Sequence, residues 1–306
     1  MKAIYTYSLV IPVYNSVDSL RLLVDEIAKV FRPEEYQIIL VDDHSSDNSW
    51  ELMKTLKAES KLNISLISLA QNAGQHIALF CGLMHAKGEF IITLDDDLQH
   101  RPDEIIKLVN KAVEDEADLV YGIYEQKKHS AIRNSGSKFF GNILNRFASS
   151  PAQGSSFKLI RRELVLKVIQ HQHFNFYLDE VLAWYSAKTS YVTVIHAPRL
   201  NGKSGYSNFK LMEMSLRLLF NYTVLPLKFI TYFGLVSSLT SFGFGVYYIV
   251  EKINNGAQSG FTAIIVSIFF STGLILLSLG IIGEYISRVF RIQSGKPPFK
   301  IKALIE

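Results

Sequence analysis

Three consecutive aspartates, Asp95-Asp96-Asp97, follow a short apolar run. In an extended backbone residues i and i+2 point the same way, about 6.6 Å apart. Asp95 and Asp97 can therefore converge on one cation while Asp96 points elsewhere. Carboxylate oxygens suit Mg²⁺ or Mn²⁺, ions that commonly join one or two carboxylates to a diphosphate. A plainer reading makes these aspartates companions of a helix start, because Arg101-Pro102-Asp103-Glu104 puts proline and acids where a helix opens. Three adjacent carboxylates without a counter-ion repel one another, which favours the metal. A second acidic pair, Asp42-Asp43, ends another apolar run. A carboxylate there can accept the ring N–H of a uracil or a ribose hydroxyl, yet Ser45-Ser46-Asp47 before a helix is also ordinary capping chemistry. Asp47 or Ser46 is expected to cap, and one of the pair to bind.

The cations stand apart from these acids. Arg133 and Lys138 lie in a polar segment, and Arg199, Lys203, Ser204, Tyr206 and Ser207 form a glycine-punctuated loop. Such a loop suits a lipid phosphate, or serves as plain attraction to anionic headgroups. His76, His100 and His196 read as solvated or structural residues, since no spacing such as His-Glu-x-x-His occurs.

The elements that must position these residues alternate. Tyr7 to Val13, Gln37 to Val41, Ile64 to Leu69, Phe90 to Leu94 and Leu119 to Tyr121 read as strands. Val17 to Phe31, Asn48 to Glu59, Gln75 to Ala86 and Asp103 to Glu114 between them read as helices. This pattern predicts an α/β domain with a parallel, doubly wound sheet, in which ligands bind beyond the carboxyl ends of the strands. The acids sit at such ends. Neither a Gly-x-Gly-x-x-Gly nor a phosphate-binding loop of the NTPase kind follows any strand, so the usual dinucleotide and NTPase fingerprints are missing.

Beyond residue 227 the composition changes. Phe229 to Val250 is 22 residues without a charge, about 33 Å as a helix, which matches a hydrocarbon core of about 30 Å. A second uncharged run of 23 residues, Phe261 to Gly283, follows a polar turn. Together they predict a transmembrane helical hairpin. Lys228 precedes the first run, Arg288, Arg291 and Lys296 follow the second, and the turn holds only Lys252, which puts both ends in the cytoplasm. Phe209, Met212, Leu216, Leu219 and Phe220 recur at helical spacing ahead of the hairpin, as an interfacial or ordinary surface helix would require.

The chain's net charge of +4 belongs to this end: from Lys228 onward 7 basic residues face 3 acidic ones, and the first 227 residues balance at 25 against 25. That argues against nucleic acid as a partner and for a basic rim beside anionic lipid. A hydrophobic share of 48% with 20% charged residues excludes a disordered chain, and the single cysteine, Cys81, excludes an internal disulfide. A mean hydropathy of +0.16 is too polar for a multi-span transporter of this length. The run Ser8 to Val13 is too short for a secretory signal and is broken by Pro12.

Six motifs in order resemble one family. They are Ile11-Pro12-Val13-Tyr14-Asn15, Val41-Asp42-Asp43-His44-Ser45-Ser46-Asp47, Asn72-Ala73-Gly74-Gln75-His76, Thr93-Leu94-Asp95-Asp96-Asp97-Leu98-Gln99, Arg199-Leu200-Asn201-Gly202-Lys203-Ser204-Gly205-Tyr206-Ser207 and Gly283-Glu284-Tyr285-Ile286-Ser287-Arg288. The chain is similar over nearly its whole length to the polyprenyl-phosphate glycosyltransferases of the GT-A, family 2 type, among them bactoprenol glucosyltransferases and aminoarabinose transferases acting on undecaprenyl phosphate. The resemblance implies a Rossmann-like, mostly parallel GT-A domain over residues 1–208, a juxtamembrane amphipathic helix over 209–226, two transmembrane helices within 227–288 and a basic cytosolic tail over 289–306. It implies an integral protein of the bacterial inner membrane, with the catalytic domain and both termini cytoplasmic.

The activity it implies is transfer of a sugar from a nucleotide sugar, UDP-linked by preference, to polyprenyl phosphate, inverting if displacement is a single step. Asp95 and Asp97 would hold Mg²⁺ or Mn²⁺ on the donor diphosphate, with Asp96 among the donor-binding positions. Asp43 with Asp42, Pro12 and Tyr14 would hold the nucleoside, and Arg133, Arg199, Lys203 and Ser204 would meet phosphates. Two departures stand out. Ser16 occupies a place where relatives often carry Glu, and Ser155-Ser156-Phe157-Lys158-Leu159 stands where glucosyltransferase relatives often read Gly-Asp-Phe-Arg-Leu. The carboxylate suspected there as a base is absent; Asp179 or Glu180 could replace it, or solvate a helix face. A phosphate monoester, with its second pKa about 6, needs little proton removal in any case. The alternatives are a non-catalytic nucleotide-sugar-binding membrane anchor and a processive polysaccharide synthase. The latter needs Gln-x-x-Arg-Trp, and neither Trp50 nor Trp184 follows an arginine. A homo-oligomer is compatible with the resemblance.

Overall fold

The computed structural model describes residues 4–124, 155–170, 178–195, 225–255, 260–293 and 297–306. Apolar runs without polar alternation form strands covered on both faces. These are β1 (Tyr5–Val13), β2 (Tyr36–Asp42), β3 (Ile64–Leu69) and β4 (Gly88–Thr93). The helices α1 (Leu20–Val30), α2 (Ser49–Glu59) and α3 (Gln75–His85) connect them, and α4 (Ile105–Glu114) follows a 3₁₀ turn at Pro102–Glu104. All of these elements coincide, within a few residues at each end, with the runs whose patterns predict them.

The later part of the sheet is less regular. β5 (Leu119–Tyr124), β6 (Lys158–Arg161), α5 (Arg162–Val168), α6 (Leu178–Tyr185) and β7 (Thr189–Val194) follow in the chain, and Ile301–Ile305 forms β8. The strand order is β7-β5-β6-β4-β1-β2-β3-β8. Four pairings, β1 with β2, β1 with β4, β2 with β3 and β5 with β7, are parallel. β6 runs antiparallel between β4 and β5, and β8 runs antiparallel along β3. The sheet is therefore mostly parallel but mixed. β6, four residues long, is too short to carry a periodic signal, and residues 301–305, read from sequence as part of a basic tail, form an edge strand.

Helices cover both faces. Leu9, Ile11 and Val13 join Leu23, Ile27 and Leu108 in one core, and Val10, Ile39 and Val41 join Leu79, Leu164 and Leu182 in the other. Gly82 lets α3 press onto β1, because a Cβ there would collide with Val10.

The chain divides into two units, residues 1–204 with 297–306, and residues 205–296. Within the second, α7 (Leu225–Asn255) and α8 (Phe261–Gln293) expose large apolar side chains such as Phe229, Leu239, Phe270 and Leu276. Phe270–Ser287 of α8 has a mean hydropathy of 1.5 and is long and apolar enough to cross a membrane.

Candidate active site

Parallel register brings the ends of β1 and β2 level, with β4 ending three residues short of β1. Val13 pairs with Asp42, and Val10 with Thr93, so the segments after β1, β2 and β4 emerge side by side. Each contains a non-glycine residue in the left-handed region: Asn15 (φ 54°), His44 (φ 61°) and Leu98 (φ 59°). Such backbone costs of order 1–3 kcal/mol per residue and persists only where its surroundings over-determine it. Here hydrogen bonds do so. Asn15 Oδ1 accepts from Ser46 N at 2.8 Å, and Ser45 Oγ accepts from Asn15 N at 3.0 Å, tying the first segment to the second.

The acidic triplet divides. Asp95, Asp97 and His100 bring one ligand atom each to within 4.8 Å of one another. Asp95 Oδ1 accepts from Gln75 Nε2 and Asp95 Oδ2 from Ser156 Oγ, both at 2.6 Å. His100 Nδ1 lies 3.9 Å from Asp95 Oδ2, and its ring stacks on Phe157 at 5.1 Å between centroids. Asp97 Oδ1 accepts from Gln99 N at 3.1 Å. Asp96 turns instead toward β1, where its Oδ2 accepts from Tyr14 N at 3.2 Å and from Ser16 Oγ. Loss of water raises the Asp95 carboxyl above the ordinary range and pushes Asp96 up to about 6.

The pair after β2 is anchored by the protein. Asp42 Oδ1 accepts from Ser45 N and Oδ2 from Ser68 Oγ, each at 3.0 Å. Asp43 accepts from Ala73 N at 2.7 Å and Gly74 N at 2.9 Å. Burial raises the Asp43 carboxyl, and those two backbone donors oppose the rise. Asp43 thus holds the turn that opens α3, whose first residue, Gln75, reaches Asp95. Pro12 lies within β1, and Tyr14 is half exposed just beyond it.

Asp179 and Glu180 are buried at the start of α6. Asp179 Oδ1 accepts from Lys158 Nζ and, at 3.0 Å, from the Tyr121 hydroxyl. Arg133, Arg199, Lys203, Ser204 and residues 209–224 of the juxtamembrane segment lie outside the described residues.

His100, which spacing alone suggests is structural or solvated, stands in the acidic cluster, and Gln75, Ser156 and Lys158, which the motifs contain without assigning them a role, stand beside it. The spacing of His100 five residues after Asp95 was the available signal. Ser156 and Lys158 lie in the pentapeptide that departs from Gly-Asp-Phe-Arg-Leu, and the antiparallel pairing of β6 with β4 brings that pentapeptide to the acidic cluster.

A divalent cation fits this donor set. Two carboxylates and an imidazole nitrogen converge, and positive charge there would offset both the mutual repulsion of the aspartates and the loss of water that raises the Asp95 carboxyl. Oxygen donors suit Mg²⁺ or Mn²⁺.

A mostly parallel, mixed α/β sheet wound in this order, with an acidic cluster beyond β4 that could hold a metal ion, is a fold of the GT-A type. The description Glycosyl transferase family 2 matches residues 8–185, and the chain belongs to that family. It is 32% identical over 306 residues to the undecaprenyl-phosphate 4-deoxy-4-formamido-L-arabinose transferase of Yersinia enterocolitica, covering 97% of this chain and 93% of that one. The enzyme of the same name from Edwardsiella ictaluri is 32% identical over 311 residues, covering 99% and 95%. An uncharacterized glycosyltransferase of Synechocystis sp. is 31% identical over 308 residues, covering 97% and 95%. Among solved structures, a mannosyltransferase of Pyrobaculum calidifontis in complex with GDP-Man and Mn²⁺ covers 97% of this chain and 88% of its own, at 12% identity and a TM-score of 0.49.

Proposed function

We propose that this protein transfers a sugar from a nucleotide sugar, with UDP as the preferred carrier, to undecaprenyl phosphate at the cytoplasmic face of a bacterial inner membrane. The convergence of Asp95 and Asp97 at the end of β4 carries this reading. Kinship with undecaprenyl-phosphate transferases along nearly the whole chain supports the acceptor.

In this reading Asp95 and Asp97 hold Mg²⁺ or Mn²⁺, with His100 beside them. The ion, when bound, stabilises negative charge on the departing diphosphate. Asp42, Asp43, Pro12 and Tyr14 line the nucleoside side, and Asp96 locks the segment after β1 against the triplet through Tyr14 N and Ser16. Arg133, Arg199, Lys203 and Ser204 meet phosphates, foremost the acceptor's. An acceptor phosphate oxygen attacks the anomeric carbon, forming the new C–O bond as the bond from that carbon to the donor diphosphate breaks. The nucleoside diphosphate leaves with the electron pair, and the anomeric centre inverts. The acceptor is already largely ionised at pH 7, so the chain's task is orientation. Asp179, engaged by Lys158 and Tyr121, acts as a positioning group in this scheme.

The helices α7 and α8 form the membrane hairpin. The span Phe270–Ser287 and the uncharged run Phe229 to Val250 support it, and the basic residues after α8 favour both ends inside. Incubating detergent-solubilised protein with undecaprenyl phosphate and radiolabelled nucleotide sugars tests the function. One sugar should enter a lipid-extractable product in a metal-dependent way; no labelled lipid would leave a binding protein, and polymer would mean a processive synthase.

A further inference from the structure

Beside the acidic strand end lies a charged pair that the transfer scheme leaves without a direct part. Lys158 and Asp179 are 1% and 3% exposed. Lys158 Nζ donates to Asp179 Oδ1, lies 5.4 Å from the centroid of the Tyr121 ring, and shares its acceptor with the Tyr121 hydroxyl. Taking two charges out of water is costly, and apolar side chains of similar volume often serve a core as well or better. Stability alone therefore does not account for the pair.

Its place in the sheet does. Lys158 is the register partner of Thr93 across the antiparallel pairing of β4 and β6. Two residues beyond the end of β4 and two before the start of β6, Ser156 Oγ reaches Asp95 Oδ2. Continuing the register past its last pair, Thr93 with Lys158, makes Lys158 and Asp95 diagonal neighbours, and diagonal positions in a ladder stand about 7–8 Å apart. A buried charge at that range is weakly screened. The ammonium also opposes the burial-driven rise of the Asp95 carboxyl. α3 connects the same two layers, since Gln75 bonds Asp95 while the next residue, His76, feels the charges of Asp179 and Lys158.

We propose that the Lys158–Asp179 pair is a positioning device that sets the net charge under the metal site: Lys158 offsets the repulsion within the aspartate triplet, and Asp179 keeps that cation from opposing a divalent ion. This rests on the reading of Asp95 and Asp97 as metal ligands. The test is Mn²⁺ binding by the full-length protein in detergent, read from the electron paramagnetic resonance signal of free Mn²⁺, with circular dichroism melts as a check of folding. Asp179→Asn leaves the cation uncancelled and should weaken Mn²⁺ binding at least fivefold. Lys158→Met should tighten it at least threefold, and the double variant K158M/D179L should stay within twofold of wild type. Equal affinity in all four proteins overturns the inference, as does equal weakening in Asp179→Asn and the double variant, which would point to side-chain shape. If Asp179→Asn does not fold, Lys158→Met against the double variant decides: tighter binding in the single variant supports the inference, and equality overturns it. Asp97→Ala tests the underlying metal reading separately. Were it to bind Mn²⁺ like wild type, that reading would fail whatever the pair does.

Discussion

Ser156 Oγ donates to Asp95 Oδ2 at 2.6 Å, so a residue two positions before the short antiparallel strand β6 fixes a carboxylate two positions beyond the parallel strand β4 beside it. The hydrogen bond orients Asp95 toward Asp97 and His100. It also helps hold Asp95 ionised against the pull of burial.

Removing that hydroxyl tests whether orientation matters. A hydrogen bond to a charged group contributes about 1.5–3 kcal/mol. Ser156→Ala should raise the Mn²⁺ concentration for half-maximal transfer about tenfold, with kcat at saturating metal within about threefold of wild type. Metal titrations of the transfer assay measure both, and an unchanged midpoint would count against the role.

Asp97 is partly exposed in the turn that follows β4, so its loss leaves no cavity in either core. Asp97→Ala should abolish transfer, by about 10³-fold or more, with little change in melting temperature. Retained activity refutes the metal assignment.

Asp96 makes stability depend on pH. Its value of about 6, against an ordinary 3.8, means that the native state binds this proton more tightly than the unfolded chain does. The contribution is full below about pH 3.8 and is lost as pH rises through about 6, up to about 3 kcal/mol in all. Asp96→Asn removes this dependence. The variant's melting temperature relative to wild type should therefore climb between pH 5 and pH 7.5 in metal-free buffer, and a flat difference would contradict the assignment.

Gly74 stands at φ 91° with nothing within 4 Å of the place a Cβ would occupy. Gly74→Ala thus tests backbone strain alone, which costs about 1–2 kcal/mol for a residue with a Cβ in that region. A fall of a few degrees in melting temperature is expected. Because Gly74 N holds Asp43 and Gln75 holds Asp95, the Mn²⁺ midpoint should rise with it.

The early elements were legible in the sequence because their signals are local. Strands buried on both faces read as continuous apolar runs, helices packed on one face repeat every third or fourth residue, and the two long uncharged runs stand out by length. Asp95 and Asp97 are close in sequence as well, but they follow the end of β4 at Thr93 and the chain turns at Asp96–Asp97, so a turn brings them together where the sequence suggests an extended backbone. Tertiary structure decided the rest. Ser156 and Lys158 stand some 60 residues after Asp95, and only the antiparallel pairing of β6 with β4 brings them to it. His100 joins the cluster by stacking on Phe157, Asp43 closes on the turn before α3, and Ile301–Ile305 finds the edge of β3. Such contacts depend on chain segments far apart in sequence, so no window along the chain encodes them; they exist once loop closure and burial have set the order of the strands.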